Sequence, residues 1–215
     1  MFTVLSSGVW TLEGMASSPP TAIASSFASP PWSVPFTHDP RLLVRRATSE
    51  DLVELAALKR RVERRCYRHL ATEEALCVRL HRRSTAWWLL SRLAAGDLVL
   101  LAQLDGETAG LAAARLDDDG LSAPRVHLHS AYVENEGHGA GTALLAARLE
   151  AADALGVTTI TADAFVGCLA VEARMRRIGM SPIAEPTDSP TFPGVPLSHW
   201  AGSVHTALLR LERRK

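Results

Sequence analysis

From Arg41 onward, apolar positions recur with two different periods, and the switches between them divide the chain into short elements. Leu42, Leu43 and Val44 make a first extended run. Ala47-Thr48-Ser49-Glu50-Asp51 then offers a capping hydroxyl with acids behind it, which predicts a helix to about Arg65. A second helical stretch starts at Thr72-Glu73-Glu74, and a third, around Trp87 to Leu93, stops at Gly96, a residue type that tolerates a left-handed cap. Leu98 to Leu104 and Thr108 to Leu116 are extended and flank Asp105-Gly106, a strong signal for an antiparallel hairpin. Arg125 to Val133 reads as a strand, Thr142 to Leu155 as an Ala- and Leu-rich helix closed by Gly156, and Val157 to Asp163 as a buried strand. Leu169 to Ile178 is an amphipathic helix ending at Gly179, and Met180 to Ile183 is extended again. Pro186 to Pro196 reads as a long loop of the kind that borders substrate sites, and a last strand is expected over Val204 to Leu211.

Residues 1–40 break this pattern. They hold no Lys or Arg and six of the twelve prolines, so they read as a flexible tail ahead of a folded domain at 41–215. Met15 offers a later start, and Trp32 and Phe36 an alternative reading as a docking segment. The whole chain, 215 residues with 23 acidic and 23 basic side chains, has room for one domain with a core. Zero formal charge argues against holding nucleic acid by bulk electrostatics. No apolar run reaches the roughly 20 residues of a membrane span, and the start lacks a secretory signal. Three cysteines, Cys66, Cys77 and Cys168, without a CxxC pair suggest a reducing, cytoplasmic setting.

The segment with most chemistry is Tyr132-Val133-Glu134-Asn135-Glu136-Gly137-His138-Gly139-Ala140-Gly141-Thr142, where a strand gives way to alternate glycines and a helix. Such a turn makes an anion cradle: glycines let the backbone come close, and unpaired amides at a helix start face a phosphate. A Rossmann fingerprint and a Walker loop are both absent, and a glycine turn without a ligand remains open on this segment alone.

The order of elements, with Asp105-Gly106-Glu107-Thr108-Ala109-Gly110, Leu128-His129-Ser130-Ala131-Tyr132-Val133, the glycine turn and Arg176-Arg177-Ile178-Gly179-Met180, resembles the GNAT superfamily of acyl-CoA-dependent N-acetyltransferases over residues 41–215. The resemblance implies a single α/β (α+β) domain with a mixed, mostly antiparallel sheet and helices on both faces. It also implies acetyl-CoA as co-substrate and direct transfer to a primary amine of a small molecule or protein. In that family Arg/Gln-x-x-Gly-x-Gly/Ala holds the CoA diphosphate. Two registers fit: Gly141 last with Glu136 first, or Ala143 last with His138 first. The cofactor-binding set implied is Tyr132 and Val133 for pantetheine and the thioester carbonyl, with Gly137, His138, Gly139, Ala140, Gly141 and Thr142 for the diphosphate. No metal, nucleic acid or membrane is called for, and a homodimer is compatible with the family.

His127 and His129 share one strand face and are the candidate general bases; a half-buried structural histidine and an His-x-His zinc site are the other readings. The chain departs from the family where Met175 stands in place of the helix Tyr that protonates the leaving thiolate. A non-catalytic acyl-CoA sensor or interaction protein is therefore the rival reading. Cys168, at a helix start that would lower a thiol pKa, the Arg61/Arg64/Arg65/Arg68 stripe with Glu54 or Glu63 as partners, and a pocket lined by His199-Trp200 complete the candidates. The acceptor is not legible.

Overall fold

Asp105 and Gly106 both take positive φ, 52° and 82°, the turn whose twist matches two antiparallel strands, and the hairpin they close lies at the middle of the sheet. The computed structural model describes residues 33–34, 39–118, 120 and 122–213. In chain order these form β1 (Ser33–Val34), β2 (Leu42–Arg46), α1 (Leu52–Tyr67), α2 (Glu73–Arg79), α3 (Arg82–Ala94), β3 (Leu98–Leu104), β4 (Glu107–Asp117) and β5 (Arg125–Val133). There follow α4 (Ala140–Ala154), β6 (Thr159–Phe165), α5 (Leu169–Arg177), β7 (Ser181–Pro182), β8 (Thr187–Asp188), β9 (Pro196–Ser203) and α6 (Val204–Glu212).

The sheet runs β1-β2-β3-β4-β5-β6-β9-β7 with β8 also against β9; β5 and β6 pair in parallel and the other neighbours antiparallel. Both faces of its centre are covered, which is why Leu98 to Leu101 is an unbroken apolar run. Leu98 and Leu100 join Val126, Leu128, Leu144 and Leu149 under α4 and α6. Val99 and Leu101 join Leu55, Leu58, Leu89 and Leu111 under α1 and α3. The implied single domain, mixed mostly antiparallel with helices on both faces, is the one observed.

One element differs in kind. The expected last strand, Val204 to Leu211, is the helix α6. Val204, Ala207, Leu208 and Leu211 recur at helical spacing and face the core, and Ser203 accepts the Thr206 N–H at 3.3 Å as an N-cap. The strand lies just before it: in β9, Ser198 and Trp200 alternate inward, and Trp200 is fully buried. Boundaries moved elsewhere: α3 begins at Arg82 and α4 at Ala140, and β6 spans Thr159–Phe165. Of the tail at 1–40, all but residues 33–34 and 39–40 lie outside the described residues; Ser33 and Val34 stand opposite Arg45 and Val44.

Candidate active site

The parallel pair opens part-way along. Register between β5 and β6 ends at Leu128 and Ala162, although the strands continue to Val133 and Phe165. On the other side of β5, Ala114 pairs with Leu128 but Ala112 pairs with Ala131, so His129 and Ser130 together oppose Ala113: a β-bulge. The extra residue reverses the alternation. Leu128 faces α4, whereas Tyr132, four residues on, faces α1 and α3. Glu134 donates its N–H to Ala109 O at 3.0 Å, so by antiparallel alternation Val133 and Ala131 turn their backbone groups the other way, into the opening beside β6. Arg65 of α1 holds the strand end by donating to the Val133 and Glu134 carbonyls, each at 2.8 Å, and Arg61 pairs with the Glu134 carboxylate.

Beyond Val133 the glycine turn leads into α4. Gly137 and Gly139 have φ of 92° and 79°, and Gly139 is the N-cap, a left-handed conformation that excludes most side chains. Among the described residues, the amides of Gly137, His138, Gly139, Ala140 and Gly141 donate to no protein acceptor. Gly141 lies in the first helical turn with ordinary φ; its need is room, since an added Cβ would stand 2.8 Å from Arg174 Nη1. The helix begins one residue before Gly141 and three before Ala143, the last positions of the two registers. His138 and Glu136 both line an open depression, together with Arg65, Glu134 and Asn135. Arg174 of α5 supplies positive charge at the same spot; its described hydrogen-bond partner is the Thr142 hydroxyl at 3.5 Å. Burial and Arg177 lower its pKa, while Glu136 acts to raise it. An anion beside these amides would thus meet a guanidinium as well as the Glu136 carboxylate, and the turn fits a diphosphate.

His127 and His129 do share a face, with rings 4.8 Å apart, but their surroundings differ. Arg92 Nη1 lies 3.0 Å from His129 Nε2 and 3.1 Å from Asp97 Oδ2. Burial, then His127 and Arg92, push the His129 pKa down to about 3, so this imidazole stays neutral with Nε2 occupied. His127 contacts Thr161 Oγ1 through Nδ1 at 3.1 Å, and its Nε2 is 3.9 Å from Asp163 Oδ2. Burial lowers its pKa too, against the pull of Asp163 and Asp117. Asp163 also bonds His199 Nδ1 at 2.8 Å, and His199 Nε2 meets Thr187 Oγ1 at 2.9 Å. A polar floor of His127, Asp163, His199 and Thr187 results, which sequence reading missed in Asp163 because only strand pairing brings it beside His199. Trp200 does not line it, being buried on the opposite face. No group of three or more His, Cys, Asp or Glu among the described residues is placed to hold a metal ion.

Met175 is buried in the core beneath α4. Cys168 is buried at the α5 N-cap, and desolvation raises its thiol pKa, opposite to the expected lowering: burial outweighs the helix end. The arginine stripe pairs with Glu134 and Glu73 rather than Glu54 or Glu63. Glu63, fully buried, instead accepts from Lys59 at 2.6 Å, Arg79 at 2.6 Å and the Tyr132 hydroxyl at 2.9 Å.

A mixed sheet with one splayed parallel pair beside a glycine-capped helix defines an α/β domain of the GNAT type. Residues 55–179 match the Acetyltransferase (GNAT) family, and the chain belongs to it. Among solved structures, Ribosomal-protein-alanine N-acetyltransferase from Brucella melitensis is 26% identical, with a TM-score of 0.58 over 75% of this chain and 99% of that one. Mycobacterium smegmatis RimJ in complex with CoA-disulfide (18% identity, TM-score 0.60, 80% and 88% covered) and the PaiA N-acetyltransferase from Thermoplasma acidophilum in complex with coenzyme A (16%, 0.55, 74% and 97%) share the fold. No curated protein sequence matches the chain. Among the described residues no helix is long and apolar enough to cross a membrane.

Proposed function

We propose that the protein transfers the acetyl group of acetyl-CoA to a primary amine by direct attack within a ternary complex. The observation that carries this reading is the opening between β5 and β6, which ends at the unpaired amides of the glycine turn. Gly137, His138, Gly139, Ala140 and Gly141 present those amides to the diphosphate, with the Thr142 hydroxyl beside them. The strand end at Tyr132 and Val133 takes the pantetheine, and the Val133 N–H polarises the thioester carbonyl and stabilises the developing oxyanion. Tyr132 serves through position: its hydroxyl is committed to Glu63 and its side chain ties the strand to α1.

His127 is the base of the pair. Neutral at pH 7, it has Nε2 near Asp163 without a hydrogen bond in the way, whereas His129 Nε2 is taken by Arg92. As His127 takes the amine proton, the Asp163 carboxylate balances the imidazolium. Similarity to a Ribosomal-protein-alanine N-acetyltransferase supports a protein amine among the acceptors. Met175, in place of a proton-donating side chain, favours a second reading as a non-catalytic acyl-CoA sensor. Calorimetric titration of the full chain with acetyl-CoA, followed by release of free CoA thiol over an amine panel, tests both. Binding with amine-dependent release is expected; binding without release supports the sensor, and no binding overturns the acetyl-CoA site.

A further inference from the structure

Arg148, in the middle of α4, is 4% exposed, and none of the ion pairs among the described residues includes it. Its partners are three backbone carbonyls: Nη1 donates to His129 O at 2.8 Å and to Ala113 O at 3.3 Å, and Nε to Leu144 O at 3.2 Å. Burial, with Arg174 adding repulsion, lowers its pKa to about 9. A buried guanidinium without a carboxylate is costly, so its location needs a reason. Ala113 and His129 are the residues that face each other at the bulge, where the ladder between β4 and β5 slips by one. A bulge swings carbonyls out of the ladder and leaves them short of donors inside the core. One nitrogen, Nη1, takes both carbonyls while Nε, donating to Leu144 O, fixes the guanidinium plane, an anchorage that an ammonium on this helix would lack.

We propose that Arg148 is the pin that holds the β5 bulge, and through it the direction in which Ala131 and Val133 present their backbone groups. It is a positioning residue. Without the extra residue held in place, the alternation beyond Leu128 would reverse and the Val133 N–H would turn toward β4, away from the opening. His129 completes the arrangement from the other face: Arg148 holds its carbonyl while Arg92 holds its ring. The catalytic consequence rests on the acetyl-transfer reading; the pin itself does not.

The test compares wild type with Arg148→Met, which keeps the volume and removes the donors, and with Arg148→Lys. Amide spectra of the unliganded proteins read the pin directly. Arg148→Met should displace the amide resonances of residues 129–133, and Arg148→Lys should restore part of the wild-type pattern. In acetyl-transfer assays kcat should fall at least about ten-fold in Arg148→Met while KM for acetyl-CoA changes less than about three-fold, since the turn amides that hold the diphosphate are elsewhere. Unmoved resonances overturn the pin. Moved resonances with unchanged kcat overturn its catalytic role. If wild type binds no acetyl-CoA, the acetyl-transfer reading fails while the spectra still decide the pin. If Arg148→Met does not fold, Arg148→Lys decides: wild-type resonances together with wild-type kcat would overturn the proposal, since an ammonium has no second nitrogen anchored on Leu144 O to aim it at the bulge.

Discussion

Arg174 lies across Gly141 so closely that a Cβ there would stand 2.8 Å from Nη1, 3.2 Å from Nη2 and 3.3 Å from Val133 Cγ2. A side chain at 141 would therefore displace the cation from the helix start. Gly141→Ala asks the far end of a flexible side chain to move, and Ala favours the helix, so stability should stay within about 1 kcal/mol of wild type by urea unfolding. Affinity for acetyl-CoA should fall several-fold by calorimetry, because the methyl would stand where the diphosphate meets amides and guanidinium. Unchanged affinity would place the diphosphate elsewhere.

His127 and His129 separate by substitution. His127→Gln removes the proposed base and should lower kcat by about 10²–10⁴, leaving the Kd for acetyl-CoA unchanged. Because burial lowers the His127 pKa, the acid limb of kcat/KM should lie below the ordinary 6.5. Asp163 and Asp117 oppose that shift while Arg115 and Arg92 reinforce it, so Asp163→Asn should move the limb further toward acid. A limb at or above 6.5 would assign the base to another group.

His129 should matter for stability. Its folded pKa of about 3 lies below the unfolded 6.5, so between these values the unfolded chain binds the extra proton. The stabilisation is complete above pH 6.5 and is lost as pH falls toward 3, by an amount on the order of a few kcal/mol. Asp97, whose carboxyl is raised by burial, works in the opposite sense, taking its proton before the unfolded chain does. Urea unfolding across this range should show a shallower acid slope in His129→Gln than in wild type. Equal slopes would show that His129 is not buried neutral in solution.

Met175→Tyr adds a phenol at a position where the chain has no proton donor but places it in a filled core, since Met175 is 9% exposed among residues packed beneath α4. Overpacking should cost about 1–3 kcal/mol, seen as a lower Tm, with no rise in kcat. A rise would show that the hydroxyl reaches the leaving thiolate and that Met175 limits the present rate.

Much of this was legible in the chain because it is local. Asp105-Gly106 fixed its hairpin, Gly139 and Gly141 fixed a helix start to within two residues, and the two histidines fell on one face by strand period. The rest depends on contacts distant in sequence. Val204 to Leu211 contains residues compatible with either period, and only burial against α4 and the Ser203 cap decide for a helix. The bulge at Ala113 has no marker in the strand itself; its partner Arg148 lies 35 residues away and reads as one more arginine in an arginine-rich chain. Asp163 likewise gains meaning only opposite His199. Cys168 shows the same limit in electrostatics: a helix start was visible, its desolvation was not.

Glu63 gives the sharpest stability test, for the sequence offers it as a partner of the arginine stripe and it is the centre of a buried cluster. Fully buried, it answers Lys59 and Arg79 and receives the Tyr132 hydroxyl. Glu63→Ala would leave Lys59, over the Trp88 and Tyr132 rings, and Arg79, over the Phe192 ring, without the carboxylate between them, a loss of about 3–5 kcal/mol by urea unfolding. Lys59, already lowered to about 8 by burial, is then expected to shed its proton near neutrality, limiting the loss as pH rises through that range. Tyr132→Phe removes one hydrogen bond to the carboxylate while leaving the cations paired, and should cost about 1.5–3 kcal/mol. The ratio between the two variants is the informative quantity. If Glu63→Ala costs no more than Tyr132→Phe, water reaches Lys59 and Arg79 in solution, and the tie between α1 and the strand end is weaker than its geometry implies.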